Sequence, residues 1–538
     1  MAKKIFYTAE AREKVLAGAK QLYDAVKVTF GPKGQNVVIE KSYGGPTITH
    51  DGVTVAEAVD LGSTEDNLGE QIGAKLIKSA AQKLNKVAGD GTTTVTVLTY
   101  NILAEANKLI AAGVNPMELR KGIEDAGAEI IKGIEKSSEK IEGNDSKVAE
   151  VASISAGDPE IGKLIADVIS KIGKDGVVTV EQGQGLEMEQ EIVEGFTYDK
   201  GYSSPFFVTD TNRQEAIFDK PLILITDKKI SSAQELLPLL EQCAQAGRKD
   251  LVIIAEEVEG EALSVLVLNK LKGVFNTLVL KAPSFGDRRK DIMEDIAILT
   301  DATVVSSDKG MKLEEVGMEV LGTCGKVIAT KDETTIIKGA GNQASVKERI
   351  ELIQSQAKLA KSDYDREELE KRAAALLGKV AVIKVGGASE AEIDEKKFRV
   401  DDAVAATKAA LAEGIVTGGG VTLVNLAANL KADNDGAKIV KKALQAPFIH
   451  IMENAGLNSQ ALLAEVEKAK PGFGVNVMAP EQGIVDLKKA GVIDPAKVTK
   501  EAVQSATSIA ATAITMGALI VDIPEKQAPA APDMGGMY

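Results

Sequence analysis

Glycine, aspartate and threonine are concentrated in the segment AGDGTTTVTVL, residues 88–98, and these residue types suit phosphate chemistry. A helix that starts after Gly91 presents unpaired backbone N–H groups and a partial positive charge, which favour a bound phosphate. The three threonines add hydroxyl donors, and Asp90 suits Mg²⁺, which prefers one or two carboxylates together with phosphate oxygens. A simple helix–helix turn capped by Asp or Thr explains the same letters, so this motif alone leaves both interpretations open.

Two further glycine-rich turns and two further aspartates favour the phosphate site. The turn TFGPKG (29–34) follows a predicted helix, and VTGGGVTL (416–423) begins another. Asp51 in THDG and Asp402 in VDDA, at the predicted start of the helix VDDAVAATKAALAEG, supply carboxylates that can bind a metal or orient an attacking water. The sequence contains no G-x-x-x-x-G-K-[ST] motif, so a Walker P-loop is excluded.

The elements that must position these residues change in type along the chain. Apolar periodicity predicts helices at 8–28, 68–88, 92–112 and 117–136, with NVVIE and TITHDG as paired strands around the turn SYGGP. From about residue 176, short strands alternate with helices at 231–247 and 259–272, which predicts an α/β region with a parallel or mixed sheet.

Later segments return to helix. We expect one long charged helix at 345–377, the strand KVAVIKVGG, mostly helix from 392, a final strand ALIVDI and a disordered Pro/Ala/Gly-rich tail. The order predicts an α/β domain inserted into a helical domain whose two halves meet in space. The small apolar residues of 502–519 are expected to suit packed contacts between subunits.

Composition excludes several classes of function. The 538 residues exceed one ordinary core, and the net charge of −15, from 64 basic and 79 acidic residues, argues against nucleic acid or an anionic membrane as the main partner. Two cysteines and two histidines argue against a disulfide framework and against histidine-based catalysis. The N-terminus lacks an apolar signal region, and 502–521 is too polar to span a membrane, so a cytoplasmic protein is expected.

The chain resembles the group I chaperonins, the GroEL-type family, over nearly its whole length. Nine segments in family order carry the resemblance: KVTFGPKGQNVV (27–38), TITHDGVTVA (47–56), AGDGTTTVTVL (88–98), VEGFTYDKGYSSPFF (193–207), EVEGEALSVLVLN (257–269), KAPSFGDRRK (281–290), SDYDREELEKR (362–372), AVIKVGGASE (381–390) and EGIVTGGGVTLV (413–424). Each segment alone is weak evidence, whereas the set is specific.

The resemblance implies a multidomain α and α/β fold with three domains. A helical equatorial domain would be formed by 1–137 and 413–523, a small α/β intermediate domain by 138–194 and 380–412, and an α/β apical domain by 195–379, with 524–538 as a disordered tail. The family's hinges match Gly195 and Gly378, although Lys379 stands where a second glycine is usual.

The same resemblance implies a site for ATP and Mg²⁺, with K⁺ as a further candidate cofactor. Asp90 would hold the metal, and Asp402 and Asp51 would orient the attacking water. The other expected nucleotide contacts are Thr29, Phe30, Gly31, Pro32, His50, Gly91, Thr92, Thr93, Thr94, Gly419, Asn476, Val477, Met478 and Asp494. His50 is a departure, because the family often has a lysine at this position.

Two helices and a nearby aromatic cluster carry more apolar residues than one buried stripe requires. On the residues alone, two buried core helices are the better explanation of this pattern. The resemblance instead implies an exposed surface that binds unfolded clients and a GroES-type co-chaperonin through Tyr202, Ser204, Phe206, Phe207, Leu237, Leu240, Leu263, Val267 and Leu268.

The resemblance thus implies an ATP-driven folding chamber, a homo-oligomer of two stacked sevenfold rings. ATP binding would swing the intermediate domain and bring Asp402 to the phosphate. Two alternatives remain open on the sequence: an ATP-dependent small-molecule phosphotransferase, and a ring-forming scaffold without ATPase activity.

Overall fold

The computed structural model describes residues 2–40, 46–62, 64, 67–173, 176–183, 185–211, 213–360 and 362–523. The predicted tail 524–538 and most of the turn SYGGP lie outside these ranges. Within them, no helix combines the length and the apolar character that crossing a membrane requires.

The N-terminal segment is mainly helical. Its elements are β1 (Lys3–Tyr7), α1 (Thr8–Lys27), β2 (Val37–Ile39), β3 (Thr47–Thr49), α2 (Gly52–Ala58), α3 (Glu70–Ala88), α4 (Thr92–Ala111), α5 (Pro116–Ser137), α6 (Asp145–Ala156) and α7 (Pro159–Ile172). The four long helices predicted here are confirmed as α1, α3, α4 and α5, and β2 pairs antiparallel with β3 as expected. In α1, Ala11, Val15, Leu22 and Val26 are buried, which is the helical spacing that the sequence shows.

The middle segment alternates strands and helices. Its elements are β4 (Val177–Gln182), β5 (Glu189–Tyr198), β6 (Ala216–Asp219), β7 (Leu222–Ile230), α8 (Leu237–Gln245), β8 (Asp250–Val258), α9 (Gly260–Leu271), β9 (Asn276–Lys281), α10 (Gly286–Thr300), β10 (Val304–Val305), β11 (Gly322–Ala329), β12 (Thr334–Gly339), α11 (Gln343–Leu359), α12 (Asp363–Leu376) and β13 (Lys379–Val385).

These strands form one mixed sheet. Among the described residues its order is β4-β13-β5-β12-β11-β7-β8-β9, with β10 beside β7 and β6 beside β11. The strands β7, β8 and β9 are parallel, with α8 and α9 in their crossovers, whereas β11, β12, β5 and β13 pair antiparallel. The parallel strands are continuous apolar runs because both of their faces are buried.

The C-terminal segment is again mainly helical. Its elements are α13 (Glu390–Glu413), β14 (Ile415–Thr417), α14 (Val421–Asn429), α15 (Asp435–Ala443), α16 (Ala446–Asn454), α17 (Ser459–Val466), β15 (Phe473–Val475), β16 (Ile484–Asp486), β17 (Ile493–Pro495), α18 (Ala496–Ala513) and β18 (Ala518–Asp522). The last strand pairs antiparallel with β1, so Lys3 lies opposite Asp522 and the two ends of the described chain meet.

Contacts divide the chain into two compact units. One unit combines residues 1–174, 182–187 and 385–538, and the other combines 175–181 and 188–384. The middle of the chain therefore forms a unit of its own, while both chain ends share the other. The further division of the first unit into equatorial and intermediate domains stays a prediction.

Three sequence-based expectations about helices are wrong. The helix predicted at 345–377 is two helices, α11 and α12, because Ala360 is extended and Ser362 caps the second one. The helix predicted at 231–247 begins with a separate short turn over Ala233–Glu235. The small residues of α18, such as Ala502, Ala506 and Ala510, are buried in the core against α4 and α5, so they are not available to another subunit.

Candidate functional site

The helix α4 begins without a side-chain cap, directly after a loop of left-handed glycines. Gly89 (φ 70°) ends α3 and Gly91 (φ 87°) precedes α4, whereas the neighbouring helices α2 and α5 are capped by Asp51 and Asn115. The amides of Thr92, Thr93 and Thr94 have no hydrogen-bond partner among the described residues. Such a helix start can bind an anion through its free N–H groups and its dipole.

Two glycines allow other helices to pack directly on this loop. A Cβ atom built on Gly52 would lie 2.3 Å from Oγ1 of Thr93, and one built on Gly89 would lie 2.2 Å from Cβ of Ala405. A larger residue at either position would therefore separate the start of α2 or the middle of α13 from the loop. This packing brings together the three segments that carry Asp51, Asp90 and Asp402.

Four carboxyl groups, those of Asp51, Asp90, Asp402 and Asp494, lie close enough in the resulting recess for their charges to interact. Burial raises the pKa of Asp90, and the Asp51 charge raises it further. Burial also raises the pKa of Asp402 well above its usual range, and repulsion from Asp51, Asp90 and Asp401 adds to this effect. The pKa of Asp494 is raised to about 7 by burial and by repulsion from Asp90. Asp90, Asp402 and Asp494 all keep some exposed surface, as groups that line a recess do.

Asp51 also has a local structural role. Its carboxylate accepts hydrogen bonds from the amides of Val53 (3.0 Å) and Thr54 (2.8 Å), and so caps α2. The hydroxyl of Thr54 donates to the same carboxylate at 2.6 Å. These bonds fix the orientation of the Asp51 side chain at the edge of the recess.

The donor set of the recess fits a magnesium–phosphate complex. Among the described residues, no three His, Cys, Asp or Glu side chains are close enough together to hold a metal ion. A metal at Asp90 would therefore take most of its ligands from elsewhere. Mg²⁺ has this preference, because it is usually bound by one or two carboxylates together with phosphate oxygens and water.

The turn TFGPKG lies beside these elements, and two of its backbone donors, the amides of Gly31 and Lys33, are free among the described residues. Thr29 is buried, and its hydroxyl donates to the Val26 carbonyl at 2.9 Å, so it serves the turn itself. Phe30 packs into an apolar cluster that includes Phe448, and Pro32 is exposed. Gly31 adopts a left-handed conformation (φ 79°), and its amide has no partner among the described residues.

His50 faces both this turn and α13. A Cβ atom built on Gly34 would lie 2.9 Å from Cε1 of His50. Burial lowers the pKa of His50; the charges of Glu395 and Asp51 raise it, and that of Arg399 lowers it. His50 is therefore mainly neutral at neutral pH, unlike the lysine that the family often has at this position.

The third glycine-rich turn is joined to Asp494 by strand pairing. Val416 of β14 lies opposite Asp494 of β17, and a Cβ atom built on Gly418 would lie 2.9 Å from Oδ1 of Asp494. Gly419 (φ 63°) has no atom within 3.5 Å of a built Cβ, and Gly420 (φ 75°) begins α14 without a side-chain cap. This turn therefore also has an uncapped helix start, and a Cβ atom on Gly419 would lie at van der Waals distance, 3.7 Å, from Val492.

The remaining predicted nucleotide residues follow β15. The Asn476 side chain accepts a hydrogen bond from the Met478 amide at 3.0 Å. Val477 is buried in the cluster around Phe448, whereas Met478 is 61% exposed. Val477 joins this segment to α16 through that cluster.

One expectation about Asp402 is wrong. The sequence places it at the start of a helix, where an acid favours the positive end of the helix dipole. In the structure α13 begins at Glu390 under a Ser389 cap, so Asp401 and Asp402 lie well inside it. The helix dipole therefore does not explain these acids. The structure places Asp402 near enough to Asp51 and Asp90 for their charges to raise its pKa, and the swing of the intermediate domain on ATP binding stays a prediction.

Several residues around the recess could not be identified from sequence motifs. The Ser155 side chain, near the end of α6, forms a hydrogen bond that lowers the pKa of Asp90. The charge of Glu395 in α13 raises the pKa of His50, and that of Arg399 in the same helix lowers it. No motif marks these positions, because they reach the site only through the packing of α6 and α13.

The predicted client surface lies in the other unit and is smaller than expected. Phe206, Leu237 and Leu268 are exposed by 63%, 51% and 49%, and Leu240, Leu263 and Val267 are half-buried. Tyr202, Ser204 and Phe207 are buried, which corrects their assignment to the surface.

The three buried residues support the turn that presents Phe206. The Ser204 hydroxyl accepts from the Phe206 amide at 3.4 Å, and Lys270 of α9 donates to the Phe207 carbonyl. The fully buried Phe207 ring belongs to the core of this unit. The exposed apolar surface formed by Phe206, Leu237 and Leu268 is hereafter called the apical patch.

The two predicted hinge glycines are direct neighbours. The Gly195 amide donates to the Gly378 carbonyl at 3.1 Å. A Cβ atom on Gly195 would lie 2.3 Å from Cγ2 of Val380, and one on Gly378 would lie 2.7 Å from the Gly195 carbonyl oxygen. Close packing of the two backbones explains both glycines, and their role as hinges stays a prediction.

Comparison with known families agrees with this arrangement. The sequence model of the TCP-1/cpn60 chaperonin family matches residues 22–524, which is nearly the whole chain. The match includes all three glycine-rich turns and the four carboxyl groups of the recess, together with the segment that forms the apical patch. The chain belongs to the TCP-1/cpn60 chaperonin family.

Proposed function

We propose that this protein is a group I chaperonin, an ATP-dependent chaperone that captures non-native proteins and encloses them in a ring cavity for folding. The observation that carries the proposal is the recess in which Asp51, Asp90 and Asp402 meet the uncapped start of α4. Family membership supports an ATP-dependent chaperone in general. The assignment to group I rests on the sequence motifs.

In this proposal the nucleotide phosphates bind at backbone donors. The amide of Gly31 and those of Thr92, Thr93 and Thr94 are unpartnered among the described residues, so each can donate to a phosphate oxygen. Asp90 holds Mg²⁺, which neutralises phosphate charge and thereby relieves the repulsion within the recess. Gly419 lies beside the ribose, where a left-handed glycine (φ 63°) keeps the backbone free of a side chain, and Asp494 and Asn476 contact the ribose and the base.

Asp402 and Asp51 act in hydrolysis. Their carboxylates orient the water that attacks the terminal phosphate, which is positioning chemistry typical of phosphoryl transfer. The cap hydrogen bonds of Asp51 hold its carboxylate in place. Asp402 lies inside the long helix α13, so a movement of that helix would bring the Asp402 carboxylate into the site or take it away.

The apical patch binds the client and the co-chaperonin. An exposed apolar surface associates with any chain that exposes apolar groups, so it recognises unfolded proteins without reading their sequence. Phe206, Leu237 and Leu268 are the side chains of the patch that reach solvent most freely.

Two small sheets supply a surface for ring assembly. In β2–β3 the cross-strand pair Val38 and Ile48 is exposed by 64% and 59%, and in β1–β18 the pair Ile5 and Ile520 is exposed by 44% and 57%. Isolated two-stranded sheets are only marginally stable in water. We infer that a second copy of the chain covers these pairs within a homo-oligomeric ring.

The two alternatives have less support. A small-molecule phosphotransferase needs a polar substrate pocket and no client surface, and the family match is to chaperonins. A ring-forming scaffold without ATPase activity does not need the clustered acids Asp51, Asp90 and Asp402, whose mutual repulsion has a cost in free energy.

The hydrolytic role of Asp402 predicts a variant that binds ATP but hydrolyses it slowly. Asp402→Ala should lower the single-turnover hydrolysis rate roughly a hundredfold, because water positioning matters in the transition state more than in binding. Asp401→Ala is the matched control on the same helix, and it should hydrolyse ATP normally. A slow Asp401→Ala, or normal rates in both variants, would show that the catalytic carboxylate is assigned incorrectly.

The position of His50 predicts a pH dependence of ATP affinity. Because burial lowers its pKa below the usual 6.5, His50 gains its charge only in the acidic range, later than the sequence alone suggests. The difference in ATP affinity between the unmodified protein and His50→Lys should be constant near neutral pH and should shrink as pH falls below about 6.5, since the protonated ring attracts phosphate; the titration of Asp494, whose pKa is about 7, is common to both proteins. In His50→Lys the side chain is charged throughout, so affinity should be higher at neutral pH. Nucleotide titrations across this pH range at constant ionic strength measure both. Identical profiles in the two proteins would show that His50 does not act on the nucleotide.

The apical patch predicts loss of client capture without loss of ATPase activity. In Leu237→Glu or Leu268→Glu a charge opposes apolar burial worth about 25 cal/mol per Å², so binding of a denatured protein should be abolished. The control is Leu359→Glu, which adds the same charge at a leucine that is 81% exposed on α11, outside the patch. Capture assays, ATPase rates and particle mass should be compared. Equal loss of capture in Leu359→Glu would show that the apical patch is not the specific binding surface for the client.

A further inference from the structure

The helix α16 packs closely against two of the glycine-rich turns. A Cβ atom built on Gly31 would lie 3.2 Å from Cγ1 of Ile451, and one built on Gly420 would lie 2.7 Å from the Phe448 amide nitrogen. Phe448 and Ile451 both belong to α16. The turns TFGPKG and VTGGGVTL therefore share one rigid support, although no sequence motif marks it.

Asn454, the last residue of α16, holds the backbone of the turn TFGPKG. Its Nδ2 donates to the carbonyl oxygens of Phe30 at 2.9 Å and Lys27 at 3.0 Å, with that of Val28 at 3.5 Å. Three carbonyl oxygens around one side-chain amide require its NH₂ group, because the amide oxygen is not a donor. These carbonyls lie at and beyond the C-terminal end of α1, where backbone acceptors lack helical partners.

The hydrogen bond to Phe30 determines the direction of the free donor on Gly31. The Phe30 carbonyl and the Gly31 N–H belong to one planar trans peptide unit, so they point in opposite directions. With the carbonyl fixed toward Asn454, the Gly31 N–H points away from α16. At the other end of the turn, Gly34 faces His50, whose neighbour Asp51 belongs to the carboxylate recess.

A second contact fixes α16 along α1. The Tyr23 hydroxyl and Nε2 of His450 share a hydrogen bond of 2.6 Å, and Nδ1 of His450 lies 2.8 Å from the Glu453 carboxylate. The Tyr23 ring also stacks on Tyr100 of α4, with centroids 4.2 Å apart. His450 precedes Asn454 by one helical turn, so α16 is anchored where Asn454 meets the turn.

We propose that Asn454 is a positioning residue for nucleotide binding. It does not touch the nucleotide; it holds the Phe30 peptide so that the Gly31 N–H is oriented toward phosphate before binding. The inference rests on the proposed function, in which this turn contacts ATP. Because the bond is made equally before and during the reaction, its loss weakens binding and leaves the chemical step unchanged.

The test is the steady-state ATPase of Asn454→Leu in the full-length assembled protein. Leucine has a similar size and carries neither a donor nor a charge. KM for ATP should rise about tenfold, from the loss of one to two hydrogen bonds, while kcat at saturating ATP stays within about twofold. The control is Asn429→Leu, because Asn429 is exposed at the end of α14 and, within the described ranges, its side chain donates only to the Asn425 carbonyl of its own helix, at 3.0 Å. This control should retain the KM of the unmodified protein.

A second variant separates the turn contact from helix docking. Tyr23→Phe removes the hydrogen bond to His450 but keeps the ring stacked on Tyr100 and the Asn454 contacts, so its KM should rise far less than that of Asn454→Leu. An equal rise in KM in Tyr23→Phe, an unchanged KM in Asn454→Leu, or a fall in kcat alone would overturn the inference. Absence of ATP binding by the unmodified protein would instead overturn the proposed function, and direct titration with ATP measures this separately.

Discussion

Electrostatic repulsion among acids in one recess is the constraint on which the rest of this structure depends. The Asp51 charge raises the pKa of Asp90, and the Asp90 charge raises the pKa of both Asp402 and Asp494, so Asp90 is the common member of the group. Burial raises the pKa of Asp90, Asp402 and Asp494, which means that their ionised forms are disfavoured unless a cation is present. A bound cation would relieve this repulsion, and the magnesium–nucleotide complex that we propose would supply one.

The architecture follows from the need to bring distant segments to that recess. Asp51 and Asp90 come from the N-terminal segment, and Asp402 and Asp494 come from the C-terminal one. Both segments belong to one compact unit, closed by the pairing of β1 with β18. Glycines at positions 52 and 89 permit the contacts, because any side chain there would collide with Thr93 or Ala405. The inserted middle segment forms its own core around a mixed sheet and can carry a separate binding surface.

Much of this arrangement could be predicted from the sequence, for identifiable physical reasons. Long amphipathic helices such as α1 and α3 follow from apolar spacing, and Gly91 with three threonines indicates a helix start that binds an anion. The break between α11 and α12 was missed because its signal is a single capping serine, Ser362, within a charged run. The burial of Phe207 beside the exposed Phe206 also could not be predicted, because it depends on a short turn and not on a periodic element. Ser155 and Asn454 act on the site only through tertiary packing, which leaves no trace in local sequence.

The binding of ADP with and without Mg²⁺ tests the central claim most directly, by calorimetry on the unmodified protein and on Asp90→Asn. If Asp90 holds the metal, Mg²⁺ should strengthen ADP binding to the unmodified protein, and in Asp90→Asn that gain should disappear while metal-free binding persists. Metal-free binding to the variant should even be slightly tighter, because one repelling charge is removed from the recess. A full magnesium-dependent gain in Asp90→Asn would contradict the account, because the recess would then hold its cation without the carboxylate on which the rest of the site depends.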